Sequence, residues 1–121
     1  MRERLIRVKK ERYIGSPYVS IQTLYKSGEM RYYGLYLGKE LREMINKRGY
    51  KFADIYVSND LKYMEIHLLK EKRDEHSFAL IESSKGKKIA CEALATKLLS
   101  KGIKRPKKVE VKRNKIMVYW R

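Results

Sequence analysis

Lysine and arginine crowd the last third of the chain. Lys85, Lys87 and Lys88 stand around one glycine-containing turn. Lys101, Lys104, Arg105, Lys107, Lys108, Lys112, Arg113 and Lys115 follow, with Glu110 the one acid from Lys101 to the end. Side chains of this kind at these spacings do not make or break bonds; they neutralise phosphates, and a cluster of them releases the counterions condensed on a polyanion. Arg2, Arg4 and Arg7, within residues 1–12, form a second basic group, expected as an edge strand or as an arm that suits a groove or a phosphate backbone.

Residues suited to bond chemistry are sparse. His67 and His76 lack the spaced carboxylates or thiols that a metal site requires. Glu110-Val111-Lys112 has the Glu-x-Lys spacing of one nuclease superfamily, but the preceding stretch, Arg105-Pro106-Lys107-Lys108, supplies no metal-binding aspartate. Ser16, Ser77 and Ser83 have no histidine and acid patterned around them, and no glycine-rich phosphate loop occurs. The lone Cys91, among Ile89, Ala90 and Ala93, reads as a small core residue. The expectation is a protein that binds and does not catalyse, with no metal and no cofactor.

The elements that must hold these residues come round twice. Glu40 to Lys51 aligns without a gap on Ala93 to Lys104, matching Leu41 with Leu94, Ile45 with Leu98 and Gly49 with Gly102. Each stretch predicts a short helix with an apolar pair at i and i+4, closed by a glycine in the left-handed conformation. Strand-like runs flank both. Tyr18 to Tyr25 and Met30 to Leu37 precede the first helix; Asp54 to Ser58 and Tyr63 to Leu69 follow it. Ser77 to Glu82 and Lys88 to Cys91 precede the second; Lys108 to Lys112 and Ile116 to Trp120 follow it. Residues 70–76 hold no apolar side chain and divide a first unit, 18–69, from a second, 77–121. The predicted fold class is α+β, mostly β: two hairpin–helix–hairpin repeats packed as an intramolecular pseudo-dimer.

A chain of 121 residues is one domain by size, and a unit of roughly 50 residues buries too little apolar surface to stand comfortably alone. The charge balance, 30 − 14 = +16, is best tolerated where a polyanion neutralises it. Sparse Gln and Asn beside abundant Lys, Arg, Ile and Tyr suggest heat adaptation, although that alone would balance Lys with Glu. No apolar run approaches the ~20 residues that cross a bilayer, and the charged start does not suit a signal peptide. The expectation is a soluble protein of the cytoplasm, associated with the nucleoid, with no membrane partner.

The first unit resembles the swapped-hairpin transcription factors of the AbrB type. Lys26-Ser27-Gly28-Glu29-Met30-Arg31 and Gly38-Lys39-Glu40-Leu41-Arg42-Glu43-Met44-Ile45 carry the resemblance. It implies that duplex DNA is met by basic residues of the first hairpins: Lys26 and Arg31 in one copy, and Lys85, Lys87 and Lys88 in the other. A second resemblance, carried by Arg12 to Ile21 and Gly34-Leu35-Tyr36-Leu37, is to the single-strand-binding coactivators related to the plant Whirly proteins. It implies that Tyr32 and Tyr36 stack on unpaired bases. A third reading is an adaptor or inhibitor docked on an acidic protein. Exposed tyrosines and Tyr119-Trp120 leave pairing into a homodimer open.

Overall fold

The computed structural model describes residues 19–26, 30–83, 86–103 and 105–120, and for residues 22–26 and 30–32 the backbone alone. Alternating apolar positions form the strands. Strand β1, Val19–Lys26, and strand β2, Met30–Leu37, make an antiparallel ribbon with Val19 opposite Leu37 and Lys26 opposite Met30. Helix α1, Lys39–Arg48, follows after one residue and buries Leu41 and Ile45, one turn apart on one face. Gly49 ends it with φ 75, and the amide of Tyr50 donates to the Ile45 carbonyl, the 6→1 bond of a Schellman motif.

Strands β3, Phe52–Val57, and β4, Tyr63–Leu69, form the next hairpin. In β4 the period of two is complete: Met64, Ile66 and Leu68 are buried, while Tyr63, Glu65, His67 and Leu69 face outward. The stretch 70–76 is exposed throughout.

Ser77 to Glu82, expected as one strand, is two. Strand β5, Phe78–Ala79, pairs with β3, and strand β6, Ile81–Glu82, pairs with strand β7, Lys87–Ile89. The chain changes sheets at Leu80, whose amide donates to the Lys51 carbonyl. Helix α2, Glu92–Ser100, buries Ala95 and Leu98 and ends near Gly102, again at φ 75, with the Ile103 amide donating to the Leu98 carbonyl. Strands β8, Lys108–Lys112, and β9, Lys115–Tyr119, close the chain.

The class is α+β, mostly β, in two sheets. The four-stranded sheet runs β1-β2-β7-β6 and the five-stranded sheet β5-β3-β4-β9-β8. The seam of the first is β2 against β7, three pairs long from Leu35 opposite Ile89 to Leu37 opposite Lys87. The seam of the second is β4 against β9, centred on Ile66 opposite Ile116. Both seams are antiparallel, and each joins hairpins from opposite sides of the 70–76 connector. The helices cross over too: α1 packs against β7 and α2 against β2. Val19, Leu35, Leu37 and Ile89 from the smaller sheet share one core with Met64, Ile66, Leu68, Ile116 and Val118 from the larger and with Leu41, Ile45 and Leu98 from the helices. β2 pairs with β7 only over its last three residues, so among the described residues the outer part of the β1–β2 ribbon has no third strand.

Two residues expected at the surface belong to the interior. Trp120 is 3% exposed in the core, not free for a second copy of the chain. Lys87 is 7% exposed, because it shares the inner parity of Ile89 on β7. Its stem is buried and its ammonium ion pairs with Glu82, whose other oxygen lies 2.5 Å from Arg42 Nε on α1. Lys87 first, and then Arg42, hold the Glu82 carboxyl below the usual glutamate range. A depressed carboxylate adds stability above its unfolded value and loses it as the pH falls through the folded one. Glu82→Gln is therefore expected to lower the melting temperature by a constant amount above about pH 5, with the deficit vanishing as the wild type is acidified. Melting curves from pH 7 down to 3 check this; a deficit that persists at low pH would contradict it.

Candidate nucleic-acid interface

The last hairpin divides the basic run into two groups. β8 starts at Lys108 and ends at Lys112, about 14 Å away at the rise of an extended strand. Lys108 stands opposite Tyr119 at one end of the five-stranded sheet, whereas Lys112 stands opposite Lys115 at the other.

At the second end, distant parts of the chain add to the turn. Arg48, from the last turn of α1, donates from Nη1 to the Arg113 carbonyl at 2.7 Å. The Lys51 amide donates to the Leu69 carbonyl at 2.8 Å, and the pairing of Phe52 with Leu69 sets Lys51 next to Lys70. The Leu68 amide donates to the Asn114 carbonyl at 2.7 Å, and Asn114 Nδ2 donates back to the Leu68 carbonyl at 3.1 Å, which fastens the β8–β9 turn to β4. Arg48, Lys51, Lys70, Lys112, Arg113 and Lys115 are all exposed at this end, and none forms an ion pair among the described residues.

The opposite end holds Lys62, Arg105, Lys107 and Lys108, tied to the sheet by the Lys107 amide on the Tyr119 carbonyl and the Trp120 amide on the Lys62 carbonyl. Charge there is partly compensated. Lys108 Nζ lies 2.5 Å from Glu110, which raises its pKa, and 5.7 Å from the centre of the Tyr119 ring. Asp60, held below its usual range chiefly by the Ser58 hydroxyl and the Lys62 amide, sits in the neighbouring turn.

Between the two ends, the outer face of the sheet is acidic and aromatic. Glu65 accepts from the Tyr63 hydroxyl at 2.6 Å and lies 2.8 Å from His67 Nε2. Those two contacts, Tyr63 first, hold the Glu65 carboxyl low, while burial and then Glu65 push the Tyr63 phenol well up. Tyr56 lies against His67 with ring centres 4.5 Å apart, and Tyr63 lies against Tyr119 at 5.0 Å. A carboxylate at the centre of this face repels phosphate, so the polyanion-binding potential resides at the ends of the sheet.

The remaining expected residues fall as follows. Arg2, Arg4, Arg7, Lys85 and Lys104 lie outside the described residues, as do the side chains of Lys26, Arg31 and Tyr32. Tyr36 is half-buried opposite Lys88, with Gly86 close against its ring. Lys88 is half-buried on β7, on the face opposite Lys87. Arg105, Lys107 and Lys108 group at one end of the larger sheet; Lys112 and Arg113 group at the other. Cys91 is buried at the start of α2, its thiol pushed up to about 11 by burial, and so stays a thiol near neutral pH. Among the described residues no group of three or more His, Cys, Asp or Glu is placed to hold a metal ion, and no helix is long and apolar enough to cross a membrane.

Arg48, Lys51 and Lys70 are site residues that the clustering of charge in the sequence does not reveal. The basic last turn of α1 marks Arg48 as a helix terminus, and only the bond from Arg48 to the last hairpin and the pairing of β4 with both β3 and β9 gather all three.

Comparison with known proteins adds no relative: no protein family matches the chain, and no curated protein or solved structure is similar to it.

Proposed function

We propose that this protein binds duplex DNA through its phosphate backbone, as a small regulator or chromatin-type protein, and acts by binding and not by catalysis. The observation that carries this reading is the end of the larger sheet, where Arg48, Lys51, Lys70, Lys112, Arg113 and Lys115 converge without an ion pair among the described residues, Lys115 alone being within electrostatic reach of Glu65. Cations brought together from four separate elements repel one another, and a phosphate chain relieves the repulsion by releasing its own counterions.

The same reading takes the molecule as a gene-fused pseudo-dimer of the AbrB kind, working where DNA is, in the cytoplasm. Two features support it: the antiparallel seams β2–β7 and β4–β9, and the reciprocal packing of α1 on β7 and α2 on β2. In such a body the long β1–β2 ribbon has the dimensions of an element that enters a major groove, which admits a two-stranded β-ribbon.

Competition between a 20-base-pair duplex and its separated strand, at equal phosphate concentration and low salt, tests the reading. Preference for the duplex is expected. Preference for the single strand would overturn it in favour of unpaired nucleic acid, and binding to neither would leave an acidic protein as the partner class.

A further inference from the structure

The turn between β8 and β9 is built at a cost that folding alone does not justify. Lys112 stands directly opposite Lys115, and like charges across an antiparallel pair destabilise it. Arg113, first of the two turn residues, holds φ 57, a left-handed conformation that glycine, asparagine and aspartate occupy readily and a long side chain does not. Arg48 then brings a fourth cation onto the Arg113 carbonyl. A hairpin in which the first turn residue alone has positive φ ordinarily carries glycine there, which avoids the backbone penalty. The turn is nevertheless fixed in place, because Asn114 is hydrogen-bonded to the backbone of Leu68 in both directions. Lys112, Arg113, Asn114 and Lys115 line a hollow of about 300 Å³.

Held strain at an exposed position that gathers uncompensated charge points to a ligand. We infer that the β8–β9 turn is a phosphate clamp, in which Lys112, Arg113 and Lys115, backed by Arg48, hold one backbone phosphate of the bound nucleic acid. The inference rests on the polyanion reading above and locates its central contact. The planar fork of Arg113 can give two parallel hydrogen bonds to a phosphate, which a lysine at this place could not. Arg48 holds the turn by its carbonyl and adds charge without competing for the hollow.

Arg113→Gly separates function from stability, since it removes both the fork and the strained conformation. Duplex affinity is expected to fall about 5- to 10-fold at 100 mM salt, with the slope of log affinity against log salt reduced by about 0.9. The melting temperature is expected to rise by about 2–4 °C. Lys112→Ala should weaken binding without lowering the melting temperature. In a second arm, inorganic phosphate against chloride at matched ionic strength should raise the melting temperature of the wild type more than that of Arg113→Gly.

If the wild type binds duplex and both variants bind as tightly with the same slope, the clamp is wrong while the polyanion reading stands. If the wild type binds no duplex but inorganic phosphate still distinguishes it from Arg113→Gly, the clamp stands on free phosphate and the DNA reading falls. A lower melting temperature for Arg113→Gly would overturn the claim that the turn is strained for its ligand.

Discussion

Gly86→Ala is expected to lower the melting temperature by roughly 10 °C, a loss on the order of 2–3 kcal/mol. A Cβ at Gly86 would lie 2.2 Å from the Leu37 carbonyl oxygen and 2.8 Å from the Tyr36 ring. A flexible side chain could swing away, but the nearest atom is backbone. Leu37 is fully buried, and it is the last of the three residues through which β2 pairs with β7. Relieving the clash therefore means opening the seam of the four-stranded sheet or moving the start of α1. Thermal denaturation of the variant checks this, and a change of less than about 2 °C would mean that Gly86 does not lie against β2.

The other seam should be as sensitive to lost volume as this one is to added volume. Ile66 and Ile116 are fully buried and directly opposite at the centre of β4–β9. Each Ile→Ala change removes buried methylenes and leaves a cavity that two paired strands cannot close, for a loss of about 2–5 kcal/mol. Because the two side chains touch the same space, the double variant should depart from the sum of the singles by more than about 0.5 kcal/mol. A double-mutant cycle in urea reads the departure. Additivity within about 0.3 kcal/mol would mean that the two strands do not share a cavity.

These two seams mark the boundary of what the sequence discloses. Strand alternation and helix ends are local properties, so the period of two in Tyr63 to Leu69 and the terminating glycines at 49 and 102 are legible. Which strand pairs with which is not local. Ser77 to Glu82 reads as one strand because Phe78, Leu80 and Ile81 are apolar, yet its two halves pair with different sheets, and nothing in the residues marks Leu80 as the crossing.

The site shows the same limit. Lys87 carries a signal that clustering obscures: counting back by two from Ile89 places it on the inner face, where Glu82 receives it. Changing Lys85, Lys87 and Lys88 together would accordingly disturb packing as well as any surface they form. The run from Lys101 to Lys115 looks continuous in sequence, but the strand β8 carries its first part to one end of the sheet and the β8–β9 turn to the other. The end that gathers most charge does so with Arg48, Lys51 and Lys70, contributed by α1, by the segment between α1 and β3 and by the residue that follows β4.

The dependence of duplex affinity on salt tests the central claim most directly. Lys112, Arg113, Lys115 and Arg48 share one phosphate in the clamp, so with Lys51 and Lys70 this end of the larger sheet neutralises about three phosphates, which at about 0.9 each sets a slope near 3 in log affinity against log salt. A linear fall with slope between about 2 and 4 is the predicted result for the wild type. A slope near zero, or no binding to duplex at low salt, would contradict the account.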